Sequence, residues 1–166
     1  PQGHWLLAPS RVGEELWSAL LEEGRPLGMI PIGPEALEIL RIERGVAAFG
    51  VDSDEETLPQ EARLGEALNF EKGCYMGQET ISRIHHMGRV TRKLVGLKLT
   101  GAELPEAGAV VLFGKKESGR LTSRAWSPRL KAGLGLATIG TEQAAPGTEV
   151  QVRCGCGTLA AEVLPL

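Results

Sequence analysis

From residue 92 onward the chain is broken into short apolar runs at nearly regular spacing, and that rhythm limits the folds open to it. Leu94, Gly96, Leu97 and Leu99 belong to the first run. Others follow at 109–113, 119–126, 133–139, 149–153 and 158–164. Gly, Pro or charged turns separate them, and no long helix intervenes. Six short strands so spaced point to an antiparallel barrel or sandwich. The 22 glycines suit a turn-rich fold, and a hydrophobic fraction of 42% supplies a core. The texture changes near residue 93. The expected organisation is α+β, with a mainly helical segment at 1–92 and a β segment at 93–166.

The helical segment opens with an apolar run, Trp5-Leu6-Leu7-Ala8, expected as a strand. Ser10 is then placed to cap a helix over residues 11–23. Val12, Leu16 and Leu20 recur at spacing four, with Trp17 and Leu21 beside them. Glu14 and Glu15 fall in the first turn, where the helix dipole favours negative charge, and Gly24 suits the position after the end. Residues 26–32 read as extended. Gly33-Pro34 opens a second helix, because Pro is tolerated at the first helical position. Its expected buried face is Ala36, Leu37, Ile39 and Leu40. Glu43 sits where this helix finishes, an end the dipole makes unfavourable for an acid. The acidic run VDSDEETLP at 51–59 reads as solvated surface, with calcium binding as an alternative that lacks EF-hand spacing. A short helix is expected at 62–68, and a further helix from Gln78 to Met87 carries Ile81, Ile84 and Met87 and stops at Gly88.

Residues 70–79, FEKGCYMGQE, concentrate the chemically useful groups. Cys74 lies two residues after Lys72, between Gly73 and Gly77, just before the expected helix. A helix N-terminus or a neighbouring cation favours a thiolate, so a reactive or ligand-accepting thiol is reasonable. A small buried core cysteine is the plain alternative. Glu79 and Arg83, four apart, can pair along the helix. His85 and His86 diverge by about 100° on a helix and make a poor metal pair. Cys154-Gly155-Cys156 could supply soft ligands with Cys74, but a Cys-x-Cys repeat also follows from a strand showing two small side chains on one face. No metal site is assigned. Arg83, Arg89, Arg92, Lys93, Arg120, Arg124 and Arg129 make the chain locally basic, read as solvated surface.

The net charge of −3 gives no global case for nucleic-acid binding. Three cysteines, an odd number, fit a reducing, cytoplasmic setting. There is no run of 18 apolar residues and hence no expected membrane span. Serine-hydrolase, P-loop, dinucleotide-binding and zinc-protease motifs are absent, and nothing in the spacing brings a base to Cys74.

Lys72-Gly73-Cys74-Tyr75-Met76-Gly77-Gln78-Glu79 resembles the K-G-C-[aromatic]-x-G-Q-E signature of the YgfZ family of folate-binding proteins, relatives of the glycine-cleavage T-protein. Leu40-Arg41-Ile42-Glu43-Arg44-Gly45 is similar to the family's L-R-x-E-x-G segment. Asp52 and Pro59-Gln60-Glu61 resemble the D…P-x-E spacing after it. GRLTSRAWSP at 119–128 resembles a segment of the shared C-terminal barrel. The resemblance covers the C-terminal half of the family's length. It implies the remnant of a T-protein-like folate-binding domain at 1–92, then a barrel at 93–166. It further implies a folate-dependent accessory role in assembly or repair of iron–sulfur clusters, including those of radical enzymes that modify tRNA, without ordinary turnover. The alternative is a tetrahydrofolate-dependent aminomethyltransferase. By the same resemblance Cys74 is the functional thiol. Tetrahydrofolate would be the cofactor, with Glu43, Lys72, Tyr75, Gly77, Gln78, Glu79 and Arg83 forming or shaping its site, and Glu43 accepting from the pterin. Iron–sulfur client proteins are the implied partners, with no membrane and no direct nucleic-acid contact.

Overall fold

The computed structural model describes residues 3–101, 103–155 and 157–165. Six strands carry the fold: β1 (Arg92–Leu99), β2 (Val110–Phe113), β3 (Lys116–Ser127), β4 (Ala132–Gly140), β5 (Glu149–Cys154) and β6 (Gly157–Leu164). They close into a barrel in the order β1-β4-β3-β2-β5-β6, each pairing antiparallel. Closure leaves no open sheet edge. All six runs expected as strands are therefore strands, and of the two architectures expected the barrel is the one adopted.

Side chains alternate across a strand, and the barrel uses both faces. Val95, Leu97 and Leu99 of β1 join Val111, Leu121, Ala137, Ile139, Val150, Val152, Ala161 and Val163 in the main core. Leu94 points the other way and packs with Leu134, Leu136 and Ile42 in a second cluster. The segment Gly133-Leu134-Gly135-Leu136 explains why β4 can be buried on both sides. Its leucines serve the second cluster, while its glycines make room for the first. A Cβ on Gly135 would collide with the Leu121 side chain, and one on Gly133 would press on Leu99 and Leu104.

β3 departs from regular pairing between Leu121 and Ser123. Such a bulge adds a residue and disturbs the strict alternation of faces. Leu121 lies in the core, yet Thr122 and Ser123 both donate hydrogen bonds to the same carboxylate, that of Asp52. A regular strand would have sent these neighbours to opposite faces.

The chain divides into two compact units, one running to Leu37 and the other from Glu38. In the first, a single 3₁₀ turn (Ser10–Val12) leads into α1 (Gly13–Gly24). Ser10 therefore lies inside the turn and makes no side-chain cap. Gly24 is the last helical residue rather than the one beyond it. Its lack of a Cβ admits the Met29 side chain. The left-handed position is Gly28, with φ of 78°. A second 3₁₀ turn, Arg25–Leu27, occupies part of the stretch expected to be extended. Trp5 to Ala8 form no strand, and Trp5 is exposed, because no described segment pairs with them.

α2 (Pro34–Glu43) starts and stops where expected. Gly45, at φ of 65°, turns the chain away, and its N–H donates to the Ile42 carbonyl. The expected apolar stripe is not buried: Ala36, Leu37 and Leu40 are exposed and Ile39 is half-buried, while Ile42 alone on this helix is fully buried. Spacing defines a stripe, but only tertiary packing decides which part of it is covered. The helix expected at 62–68 shrinks to a 3₁₀ turn at Gly65–Ala67, because Arg63 adopts a left-handed φ of 62° that an α-helix cannot contain. α3 (Gln78–Met87) has the expected limits. Among the described residues, no helix is long and apolar enough to cross a membrane.

Because Leu121 fills the space left by Gly135, both should be sensitive. Leu121→Ala should cost about 2 to 5 kcal/mol through a cavity, and Gly135→Ala about 1 to 3 kcal/mol through overpacking. Urea denaturation monitored by circular dichroism would measure both.

Candidate functional site

Asp52 lies inside the acidic run expected to be solvated surface, yet its side chain is fully buried. A buried carboxylate must be paired and hydrogen-bonded to be tolerated. Here Oδ1 accepts from Thr122 Oγ1 (2.5 Å) and Ser123 Oγ (2.7 Å), and Oδ2 accepts from Arg41 Nη1 (2.5 Å) and the Ala48 N–H (2.9 Å). The correction has a local cause. The Asp52 and Ser53 N–H groups both donate to the Ala48 carbonyl, so the loop curls back and turns the carboxylate inward.

Arg41, on the last turn of α2, uses every guanidinium donor. Nη1 also donates to the Val46 carbonyl (2.6 Å), and Nη2 to Ser123 Oγ (2.6 Å). Nε and Nη2 grip Glu38 with both carboxylate oxygens, at 2.8 and 2.5 Å. This planar, two-pronged geometry is one a lysine cannot reproduce. The Arg41 hydrogen bond holds Glu38 below the usual carboxylate range.

Two residues on, Glu43 makes a second connection to the same strand. Oε1 accepts from Ser127 Oγ (2.5 Å) and Oε2 from Arg129 Nε (2.9 Å). Ser123, Ala125 and Ser127 follow the bulge at spacing two and so share one face of β3. That face receives Arg41 through Ser123 and Glu43 through Ser127, while Ala125 packs against the cluster that includes Ile42. The Ser127 hydroxyl, and then Arg129, hold the Glu43 carboxyl below its ordinary value. The acid at an unfavourable helix end is thus stabilised by the barrel.

The 70–79 segment forms a separate group. Asn69 Oδ1 accepts from the N–H groups of Glu71 and Lys72, at 2.9 and 3.1 Å, which folds the entry to the loop. Gln78 Oε1 accepts from the Tyr75 N–H (3.3 Å), and the Gln78 N–H donates to the Tyr75 carbonyl (3.2 Å). Gly77, at φ of 79°, immediately precedes α3. Cys74 is exposed, so a buried core cysteine is excluded. It lies four residues before the helix, and the Lys72 ammonium stands over the Tyr75 ring, 5.0 Å from its centre. Phe70 stacks on His85 at 3.9 Å, and His86 lies edge-on to His85. Gln78, Glu79 and Arg83 line a shallow depression of about 430 Å³ with Ser82, His86 and Met87. Among the described residues Glu79 and Arg83 do not form the expected ion pair.

The structure therefore brings Lys72, Tyr75, Gln78, Glu79 and Arg83 onto one loop and helix, and Glu43 onto the barrel. No hydrogen bond or ion pair among the described residues joins the two groups. Gln60 reaches α3 through Nε2, which donates to the Ile81 carbonyl (3.0 Å). Its Oε1 and the Tyr75 hydroxyl are buried without a hydrogen-bond partner among the described residues. Cys154 ends β5, and Cys156 lies outside the described residues. Sequence reasoning missed the partners of Glu43. Ser127 stood in the segment at 119–128, and Arg129 was counted as solvated charge. The available signal was two hydroxyl residues four apart on a strand, opposite a helix end carrying Arg41 and Glu43.

Two family models match the chain: the GCVT N-terminal domain over residues 2–72, and the glycine cleavage T-protein C-terminal barrel domain over residues 92–166. An aminomethyltransferase of Halothermothrix orenii is 36% identical over 152 residues, which are 92% of this chain and 42% of that protein. One of Caldanaerobacter subterraneus subsp. tengcongensis is 33% identical over 150 residues, 90% of this chain and 40% of that protein. Among solved structures, the glycine cleavage system aminomethyltransferase T from Bartonella henselae superposes with a TM-score of 0.82 at 26% identity, covering 95% of this chain and 44% of that one. The chain spans less than half the length of these relatives.

The depressed Glu43 carboxyl makes a signed prediction. A group whose folded value lies below its unfolded value, near 4.5, stabilises the fold above that value and loses this contribution as pH falls through the folded one. Glu43→Gln should therefore flatten the acid limb of the stability profile. Urea midpoints measured from about pH 7 to about pH 3, with wild type as reference, would show it.

Proposed function

We propose that this chain, which belongs to the glycine-cleavage T-protein-like family, supplies the barrel and adjoining helices of a tetrahydrofolate-dependent aminomethyltransferase. Residues 1–92 then form the remaining part of a folate-binding domain and residues 93–166 the barrel. The observation that carries the reading is Glu43, a carboxylate kept ionised at a helix end by two barrel residues. Each of its oxygens has a second lone pair, and a carboxylate in that state accepts the paired N–H donors of an aminopyrimidine edge. The named relatives, all aminomethyltransferases, support the same reaction class.

The residues present fit that cofactor in chemistry. Glu43 is the acceptor, and Arg41 with Asp52 fixes the turn that carries it. Tyr75 and Gln60 each keep a buried polar atom that a ligand or a further protein segment would satisfy. Lys72, Gly77, Gln78, Glu79 and Arg83 complete the proposed set from the loop and α3. When bound, tetrahydrofolate supplies the acceptor for a one-carbon unit taken from an aminomethyl-lipoyl carrier. This chain's own part is to orient the pterin through Glu43 and hold that carboxylate charged.

A second reading rests on the exposed Cys74 within Lys72-Gly73-Cys74-Tyr75-Met76-Gly77-Gln78-Glu79, the stretch that resembles the YgfZ signature. In it the protein is cytoplasmic, binds folate and serves iron–sulfur client proteins, among them tRNA-modifying enzymes, and Cys74 is the working thiol. The two readings divide on that residue.

Assaying methylene-tetrahydrofolate formation with the whole natural polypeptide separates them. Under the first reading the protein makes product, and Glu43→Ala lowers kcat/KM by about ten- to a hundredfold, the worth of hydrogen bonds to a charged group. Cys74→Ala retains transfer. Absence of product, together with loss of cluster-dependent enzyme activity in cells carrying Cys74→Ala, would support the second reading instead.

A further inference from the structure

Arg63 holds a left-handed backbone, at φ of 62°, that costs a non-glycine residue energy and persists only where its surroundings fix it. They do so here on both sides. The Ala62 N–H donates to the Leu58 carbonyl (3.1 Å) and the Leu64 N–H to the Pro59 carbonyl (2.8 Å). The Leu94 N–H donates to the Glu61 carbonyl (2.8 Å), which ties the segment to the start of β1 next to Lys93. Arg63 and Lys93 then line one cleft of about 740 Å³, with Arg44, Gln60 and Glu66. Arg63 and Lys93 are half-buried and Arg44 is exposed. Arg41, Arg129 and Arg153 each meet a carboxylate. Among the described residues the head groups of Arg44, Arg63 and Lys93 have no ion pair and no hydrogen bond. Gln60 adds the opposite need. Its Nε2 is engaged by the Ile81 carbonyl, and its Oε1 is buried without a donor.

We propose that this cleft binds the phosphate monoester of a small organic molecule, with the phosphoryl group meeting Arg63 and Lys93 and Arg44 at the rim. The site is separate from the Glu43 carboxylate and does not depend on how that residue is read. The lining sets three cations against one carboxylate, Glu66, and so carries an excess of two positive charges. A phosphate monoester brings nearly two negative charges at neutral pH and three strong acceptor oxygens. A guanidinium supplies a fork of donors and an ammonium three more, which suits those oxygens. A single carboxylate has one charge and two oxygens and leaves a cation unmatched. The dianionic phosphoryl group has no donor for Gln60 Oε1, so an O–H or N–H on the organic part fills that position. Val46 and Leu64, in the same lining, give that part an apolar surface. The strained turn at Arg63 has a use on this reading. It fixes the backbone that carries the guanidinium before the ligand arrives, so less is lost to ordering on binding.

The test is calorimetric titration of the whole natural polypeptide with inorganic phosphate, glycerol 3-phosphate and glycerol. Both phosphates should bind and glycerol alone should not. Glycerol 3-phosphate should bind more tightly, because its hydroxyls can donate to Gln60. Arg63→Gly and Lys93→Gln should each weaken both phosphates about tenfold or more, the scale of a lost hydrogen bond to a charged group. Arg63→Gly should not lower the urea midpoint, since glycine adopts the left-handed turn without strain. That pairing separates a binding arginine from a structural one, whose loss would lower the midpoint. Gln60→Met should remove the advantage of glycerol 3-phosphate and leave inorganic phosphate bound as in wild type. The proposal is wrong if wild type binds neither phosphate even at about 10 mM. It is equally wrong if Arg63→Gly and Lys93→Gln bind both as wild type does. Equal affinity of wild type for the two phosphates would overturn the organic part of the ligand.

Discussion

The buried carboxylate of Asp52 is the interaction on which the rest depends. It joins the end of α2, the loop that follows and the bulged part of β3. A buried charge left without its partner is strongly destabilising, so these three pieces are held in one arrangement or lose the arrangement altogether. Arg41 extends the same logic outward. With all its donors engaged it fixes Glu38 and the Val46 carbonyl as well. The last turn of α2 therefore cannot rotate without breaking several charge-assisted bonds. Glu43 rides on that turn, which is how a fold-stabilising pair comes to orient a candidate ligand contact.

The bulge in β3 makes this economical in residues. By turning Thr122 and Ser123 to one carboxylate, it lets a single strand close the Asp52 network while Leu121 remains in the core. Regular alternation then resumes, so Ser127 arrives under Glu43. Backbone irregularity, a buried ion pair and the proposed ligand contact are consequences of one local geometry.

Much of the barrel was legible in the sequence because its signals are local. Each strand is an apolar run of a few residues with Gly, Pro or charge at its ends, and the Gly-Leu alternation of β4 reports its two buried faces. The start of α2 and the end of α3 were legible for the same reason, through Pro34 and Gly88. The burial of Asp52 was not. Its neighbours in sequence are acidic and polar, and its hydroxyl partners lie 70 and 71 residues away. The partners of Glu43 are more distant still, at 84 and 86 residues. The anomaly at Glu43 could be noticed, an acid at the wrong end of a helix, but its resolution is purely tertiary. The 70–79 segment shows the opposite case. Its residues were easy to single out and the helix after them starts at Gln78 as expected, yet the structure gives the Lys72 ammonium to the Tyr75 ring.

On the proposed reading, Glu43 is an ionised carboxylate, anchored to the barrel, that meets a reduced folate. Carboxyl ¹³C NMR of the whole natural polypeptide, with Glu43 assigned by comparison with Glu43→Gln, tests it directly. The Glu43 signal should titrate below the ordinary value of 4.5, and it should shift when 5-formyltetrahydrofolate is added at neutral pH. A Glu43 signal that titrates at or above that value and does not respond to the folate would contradict it.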